Sequence, residues 1–109
     1  MSEASERRLL WWLLVGTRGG PTRMKLLNVI AKSPMNANQL SREMNLDYTT
    51  VRHHLDVLVK NGVLESGGER YGTVFYVSRW LAQRGDSLLQ VLNDESKDKI
   101  GKLRSRNKW

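Results

Sequence analysis

The chain has 109 residues, a formal net charge of +7 and no cysteine, so a single domain is expected and disulfide frameworks and thiolate metal sites are excluded. Its longest apolar run, residues 9–15, is far shorter than the ~20 residues of a membrane span. Acidic Glu3 and Glu6 precede that run and no small-residue cleavage site follows it, so the sequence predicts a soluble, cytoplasmic protein without membrane contact.

Charge is uneven along the chain: +4 over residues 1–35, zero over 36–62, −2 over 63–96 and +5 over 97–109. Basic ends suit a polyanionic partner, although a solvated, solubilising surface would look the same by charge alone.

Residues 5–14 begin polar and become apolar on nearly all sides from Leu9, which predicts a helix buried or held in an interface. The Trp11-Trp12 pair within it fits an aromatic core or a dimer contact better than a ligand pocket. Residues 16–20 break the helix, and Pro21 stands where a first helical turn tolerates proline. A second helix is predicted over 22–32, with Leu26, Leu27 and Ile30 on one face. Ser33-Pro34-Met35 ends it.

Asn36 followed three residues later by Gln39 has the pattern of a capping box, and a short helix follows with Ala37, Leu40 and Met44 at helical spacing. After a tight connection at Asn45-Leu46, Asp47 caps a longer helix to about Asn61, with Val51, Leu55 and Leu58 as its apolar stripe and Gly62 as its stop. The period then changes. Residues 63–66 and 73–77 read as two strands around a glycine-rich tip, 67–72, and Ser78 caps a final helical region whose apolar residues run from Trp80 to Leu103, with a kink or restart at Gly85-Asp86. The fold class expected is mainly α with a small β-hairpin: a winged helix-turn-helix at 16–78 with additional N- and C-terminal helices at 1–15 and 79–109.

The unit spanning 36–62 carries the functional expectation. In DNA-binding versions of two helices so joined, the N-terminal residues of the second enter the major groove. With its apolar stripe inward, a rotation of about 100° per residue turns Thr49, His53, Asp56 and Lys60 outward, with Thr50 and Arg52 on the flanks and Tyr48 near the start. Arginine can read guanine bidentately, and threonine, tyrosine and histidine can reach phosphates or base edges. Arg70 and Tyr71 at the wing tip are placed to grip a neighbouring phosphate or the minor groove. The neutral charge of 36–62 leaves Arg18, Arg23, Lys25, Arg70 and the basic tail to supply most phosphate contacts.

Residues 21–27, Pro-Thr-Arg-Met-Lys-Leu-Leu, resemble the opening of ArsR-like winged-helix regulators. Thr50-Val51-Arg52-His53-His54-Leu55 through Leu58, then Asn61-Gly62-Val63-Leu64, resemble that family's recognition helix and first wing strand. Residues 16–21, 36–40 and 46–55 are similar to an archaeal-type branch. The resemblance covers about 16–78. It implies a transcription regulator acting as a homodimer on operator DNA, with Tyr48, Thr49, Arg52 and His53 on the DNA and His54 structural. Many such proteins sense metals through cysteines. This chain has none, so thiolate-metal sensing does not carry over.

His53-His54 does not make a metal site. Adjacent helical residues diverge by about 100°, and no carboxylate stands at a suitable spacing for a third ligand. There is no cysteine nucleophile, paired-carboxylate motif or Walker-type loop. No enzyme activity, metal, cofactor or small-molecule effector is therefore expected. The expected partners are double-stranded DNA and a second copy of the chain, because 9–14 and the series 80–103 offer more apolar side chains than one small domain readily buries. An architectural DNA binder with little sequence preference and a winged-helix protein-interaction module are the alternatives.

Overall fold

The structure is a computed structural model that describes residues 3–68, 72–85 and 88. The N-terminal helix α1, Glu3–Trp11, runs directly into a π-helical turn, Trp12–Gly16. Leu10, Leu13 and Leu14 share one face and are fully buried. Trp11 and Trp12 fall on the other side, 46% and 51% exposed. They are surface residues rather than the aromatic core considered above, because the leucines at i, i+3 and i+4 take the inward face. The π turn widens the helix just before it stops, and the Thr17 hydroxyl donates to the Trp12 carbonyl at 2.9 Å across the last turn.

Helix α2, Gly20–Lys32, begins two residues before the position expected, with Pro21 in its first turn. A Cβ on Gly20 would lie 2.7 Å from the Leu14 backbone, so only glycine permits this close approach of α2 to the π turn. Met35–Asn36 forms a short strand, β1, where the sequence suggested only a helix end. Two residues carry too little periodicity to announce a strand.

Helix α3, Ala37–Met44, has the expected capping box: Gln39 N–H donates to Asn36 Oδ1 at 2.8 Å, and Asn36 N–H donates to Gln39 Oε1 at 2.9 Å. Asn45 closes α3 in the left-handed conformation at φ 53°. Helix α4, Tyr48–Lys60, is capped by Asp47, and Gly62 leaves it at φ 74°. Strands β2, Leu64–Gly67, and β3, Val74–Val77, pair antiparallel, with Leu64 opposite Val77 and Gly67 opposite Val74. On its other side β3 pairs with β1, Met35 opposite Phe75 and Asn36 opposite Val74, giving the order β1-β3-β2. The start of α3 is thereby held in register with the return strand of the wing.

After β3, Ser78 is fully buried and joins three elements. Its hydroxyl donates to the Gly62 carbonyl at 2.6 Å and accepts from Leu81 N–H at 3.1 Å, capping α5, Arg79–Ala82. Arg84 then reaches back to α1. Its Nε donates to Glu6 Oε1 at 2.8 Å and its guanidinium lies 4.6 Å from the centre of the Trp80 ring.

Leu10, Leu13, Leu14 and Leu81 belong to the same core as Leu26, Leu55 and Leu58. Much of the apolar surface that looked surplus in the sequence is thus buried within one chain, because both ends of the described structure fold onto the central helices. The rest of the C-terminal series, including Leu89, Leu92, Ile100 and Leu103, lies outside the described residues, as does Asp86 of the expected kink. No helix among the described residues is long and apolar enough to cross a membrane.

Candidate nucleic-acid interface

Helix α4 presents the expected row. Tyr48 is 48% exposed, and Thr49, His53, Asp56 and Lys60 are exposed while Val51, Leu55 and Leu58 face the core. Thr50 is half-buried and tied into the cap: its N–H donates to Asp47 Oδ2 at 3.0 Å and its hydroxyl to Oδ1 at 2.6 Å. These bonds from Thr50 hold the Asp47 carboxyl below its ordinary range. The Thr50 hydroxyl proton is therefore engaged, leaving its methyl group and an acceptor lone pair for a ligand.

Arg52 is the most constrained basic residue of the row. Its Nη2 lies 3.3 Å from Asp56 Oδ1, one turn along α4, and its guanidinium stands 5.8 Å from the centre of the Phe75 ring on β3. The side chain lies beside a polar cleft of about 170 Å³ lined by Asn36, Asn38, Tyr48, Arg52, Gly72 and Thr73. The starts of α3 and α4 and the return side of the wing converge there. Asn38 and Thr73 were missed in the sequence. Asn38 sits at the second position of α3, and only the β1–β3 pairing brings Thr73 beside it.

The other basic residues separate. Arg18 is exposed in the turn before α2. Lys25 is exposed on α2 and lines a groove with Asn28, Glu43 and Met44, away from the α4 cleft. Arg23 overturns its expected place on phosphate. It is only 5% exposed, and its Nε donates to the Leu13 carbonyl at 2.7 Å, its Nη2 to the Thr17 hydroxyl at 2.5 Å and its Nη1 lies 3.3 Å from His54 Nδ1. The sequence shows a basic residue one turn into a helix. It does not show that the π turn and α4 close over it. Arg70 and Tyr71 lie outside the described residues.

His54 is 8% exposed and turned inward, with its ring edge-on to His53 at 5.3 Å. Burial, then the Arg23 charge, then His53, hold its pKa below the ordinary histidine value. Among the described residues no group of three His, Asp or Glu side chains is arranged to hold a metal ion.

Residues 20–66 match the family described as bacterial regulatory protein, arsR family. No curated protein matches the chain. Among solved structures, the homodimeric winged helix-turn-helix DNA-binding domain of a possible ArsR-family transcriptional regulator from Mycobacterium bovis is similar, with a TM-score of 0.63 and 17% identity over 84% of this chain and 82% of that one. An ArsR-like transcriptional regulator from Rhodococcus sp. RHA1 gives a TM-score of 0.59 and 15% identity over 97% and 90% of the two chains. Reduced HlyU from Vibrio cholerae N16961 gives 0.59 and 13% over 82% and 85%. The helices and three-stranded sheet described above are those of a winged helix-turn-helix, and the segment 20–66 at its centre matches the arsR family.

Proposed function

We propose that the protein is a transcription regulator that binds double-stranded DNA sequence-specifically, with the N-terminal half of α4 in the major groove and the wing on the flanking backbone. The observation that carries this reading is the row of exposed Tyr48, Thr49 and His53 with half-buried Arg52 on their flank, beside a polar cleft that Tyr48 and Arg52 line. Arg52 is the base reader, since its planar guanidinium offers paired donors to guanine O6 and N7. Tyr48, Thr49, Thr50 and His53 supply backbone and base-edge contacts. Arg18, Lys25, Arg70 and Tyr71 are proposed for more distant phosphates, and Arg23, buried, is withdrawn from the set.

The regulator acts in the cytoplasm as a homodimer, which supplies two recognition helices about 34–36 Å apart for a palindromic site. The homodimeric M. bovis domain supports this assembly by analogy of fold. The exposed Trp11 and Trp12 offer a surface for it. Placement in an archaeal-type branch rests on the sequence stretches alone.

Selection of bound fragments from a genomic pool with purified protein tests the specific reading. A shared palindromic motif is the expected result. Recovery of unenriched DNA would make the protein an architectural binder, and recovery of none would remove DNA from its function.

A further inference from the structure

Arg23 is a buried cation without a carboxylate partner among the described residues. Its three contacts are all neutral acceptors: the Leu13 carbonyl of the π turn, the Thr17 hydroxyl of the following turn, and His54 Nδ1 on α4. One side chain therefore ties the N-terminal segment, α2 and the recognition helix together. The packing is close on the remaining side, where a Cβ on Gly19 would lie 2.6 Å from Arg23 Nη1 and 2.9 Å from His54 Cε1.

The chemistry of this contact fixes the state of His54. A guanidinium has five N–H donors and no acceptor, so Nδ1 must supply its lone pair and the proton must sit on Nε2. A second proton on the ring would remove that lone pair and set two cations against each other, with no anion among the described residues to compensate. The groups whose charge bears on the His54 ring are Arg23 from α2 and His53 from its own helix. The adjoining turn presents Gly19 and the Thr17 hydroxyl, and its one charged residue, Arg18, is exposed.

We propose that Arg23 is a positioning residue for DNA recognition, which holds α4 in its binding orientation through neutral His54, so that protonation of His54 frees the recognition helix and weakens DNA binding. This rests on the DNA-binding reading above. His54 is adjacent to His53 and two residues from Arg52, so a shift of the ring out of the contact moves the part of α4 that faces the cleft. The sign is distinctive. A proton gained beside a phosphate strengthens binding as pH falls, whereas protonation of His54 weakens it.

The experiment has two arms on the full chain. In the first, the ring nitrogens of both histidines are followed by NMR across pH. His54 is expected as the Nε2–H tautomer, titrating below the ordinary value of 6.5. Arg23→Gln should move that titration upward. A His54 that carries its proton on Nδ1, titrates ordinarily, or ignores Arg23→Gln overturns the proposal. In the second arm, affinity for a random-sequence duplex at fixed salt is measured across pH in the His53→Gln background, with circular dichroism at each point. Affinity should fall by up to about tenfold per pH unit, the limit for one proton, while the chain stays folded. His54→Asn places a neutral, non-titrating acceptor near the Nδ1 position, and should abolish the fall. Affinity that is flat or rises in the His53→Gln background, or that falls only where the chain unfolds, overturns the positioning role. Absence of duplex binding at every pH overturns the DNA-binding reading and the positioning role with it, while the NMR arm still reports whether the contact exists.

Discussion

Arg52 and Arg23 are both basic residues on helices of the same domain, yet their surroundings give them opposite duties. Arg52 lines the cleft, with its guanidinium between Asp56 and the Phe75 ring. Its replacement by alanine should cost roughly 1–3 kcal/mol on the preferred sequence and relax specificity. Competition between specific and random duplexes checks this, and equal weakening of both would leave Arg52 a mere phosphate contact. Arg23→Ala should act mainly on folding, since it leaves the Leu13 carbonyl and His54 Nδ1 without their donor in the interior. Histidine 54 also sets a pH dependence of stability. Its folded pKa lies below the unfolded value, so the unfolded chain binds more protons as pH falls. Stability is full above about 6.5 and declines as pH drops from there toward the folded value. Thermal melts of wild type and His54→Asn across that window should diverge on the acid side only. Asp47, whose carboxyl is held below its ordinary value by Thr50, adds a separate loss at still lower pH.

At the level of elements, α3 and α4 depend on their N-terminal caps more than on length. Asn36 belongs both to the capping box of α3 and to the β1–β3 pairing. Asn36→Ala should cost about 1 kcal/mol from the cap alone, measurable by urea denaturation, and should disturb the cleft lined by Asn38 and Thr73. Gly20 has a different constraint, since a methyl group there meets main-chain atoms of Leu14 and Val15 rather than a yielding side chain. Gly20→Ala should therefore destabilise by about 1–3 kcal/mol, the range for overpacking a filled site. A stabilised Gly20→Ala protein would show that α2 and the π turn are less tightly apposed. Both caps were legible as short sequence patterns because capping is a contact between neighbours in the chain. Strand β1 was not, because its partner Phe75 lies 40 residues away in a register that only the folded sheet defines.

At the scale of the whole molecule, both ends of the described structure are tied to the domain and to each other. Leu10, Leu13, Leu14 and Leu81 enter the common core, and Arg84 links α5 to Glu6 and Trp80. Trp11 and Trp12 remain exposed on the described structure, as do Tyr48 and Tyr76, and the tryptophan pair is the patch proposed to meet a second copy. Sedimentation equilibrium at micromolar concentration should give a dimer mass, and replacing both tryptophans by serine should shift it toward the monomer. A dimer unmoved by that change would place the interface elsewhere in the chain. Electrostatics also acts at this scale. With a net charge of +7 concentrated in the two ends, duplex affinity should fall steeply with salt, with a logarithmic slope of roughly 0.9 per phosphate contacted. A titration across salt measures it, and an affinity insensitive to salt would contradict the phosphate contacts proposed.

The sequence by itself determined the order of the helices and of the two wing strands, the two caps at Asn36 and Asp47, the inward stripe of α4 and the outward row from Tyr48 to Lys60. All of these follow from the helical period and from hydrogen bonds between residues three apart, which need no knowledge of the rest of the fold. Only the tertiary structure decided which of the basic residues are available. Arg23 and Lys25 stand two apart on α2. One is sealed beneath the π turn and α4, and the other faces solvent. It also decided that Trp11 and Trp12 point away from the core and that Asn38 and Thr73 line one cleft with Arg52. The physical reason is the same in each case. Burial and convergence depend on which distant segments pack against a given face, and local periodicity holds no information about them.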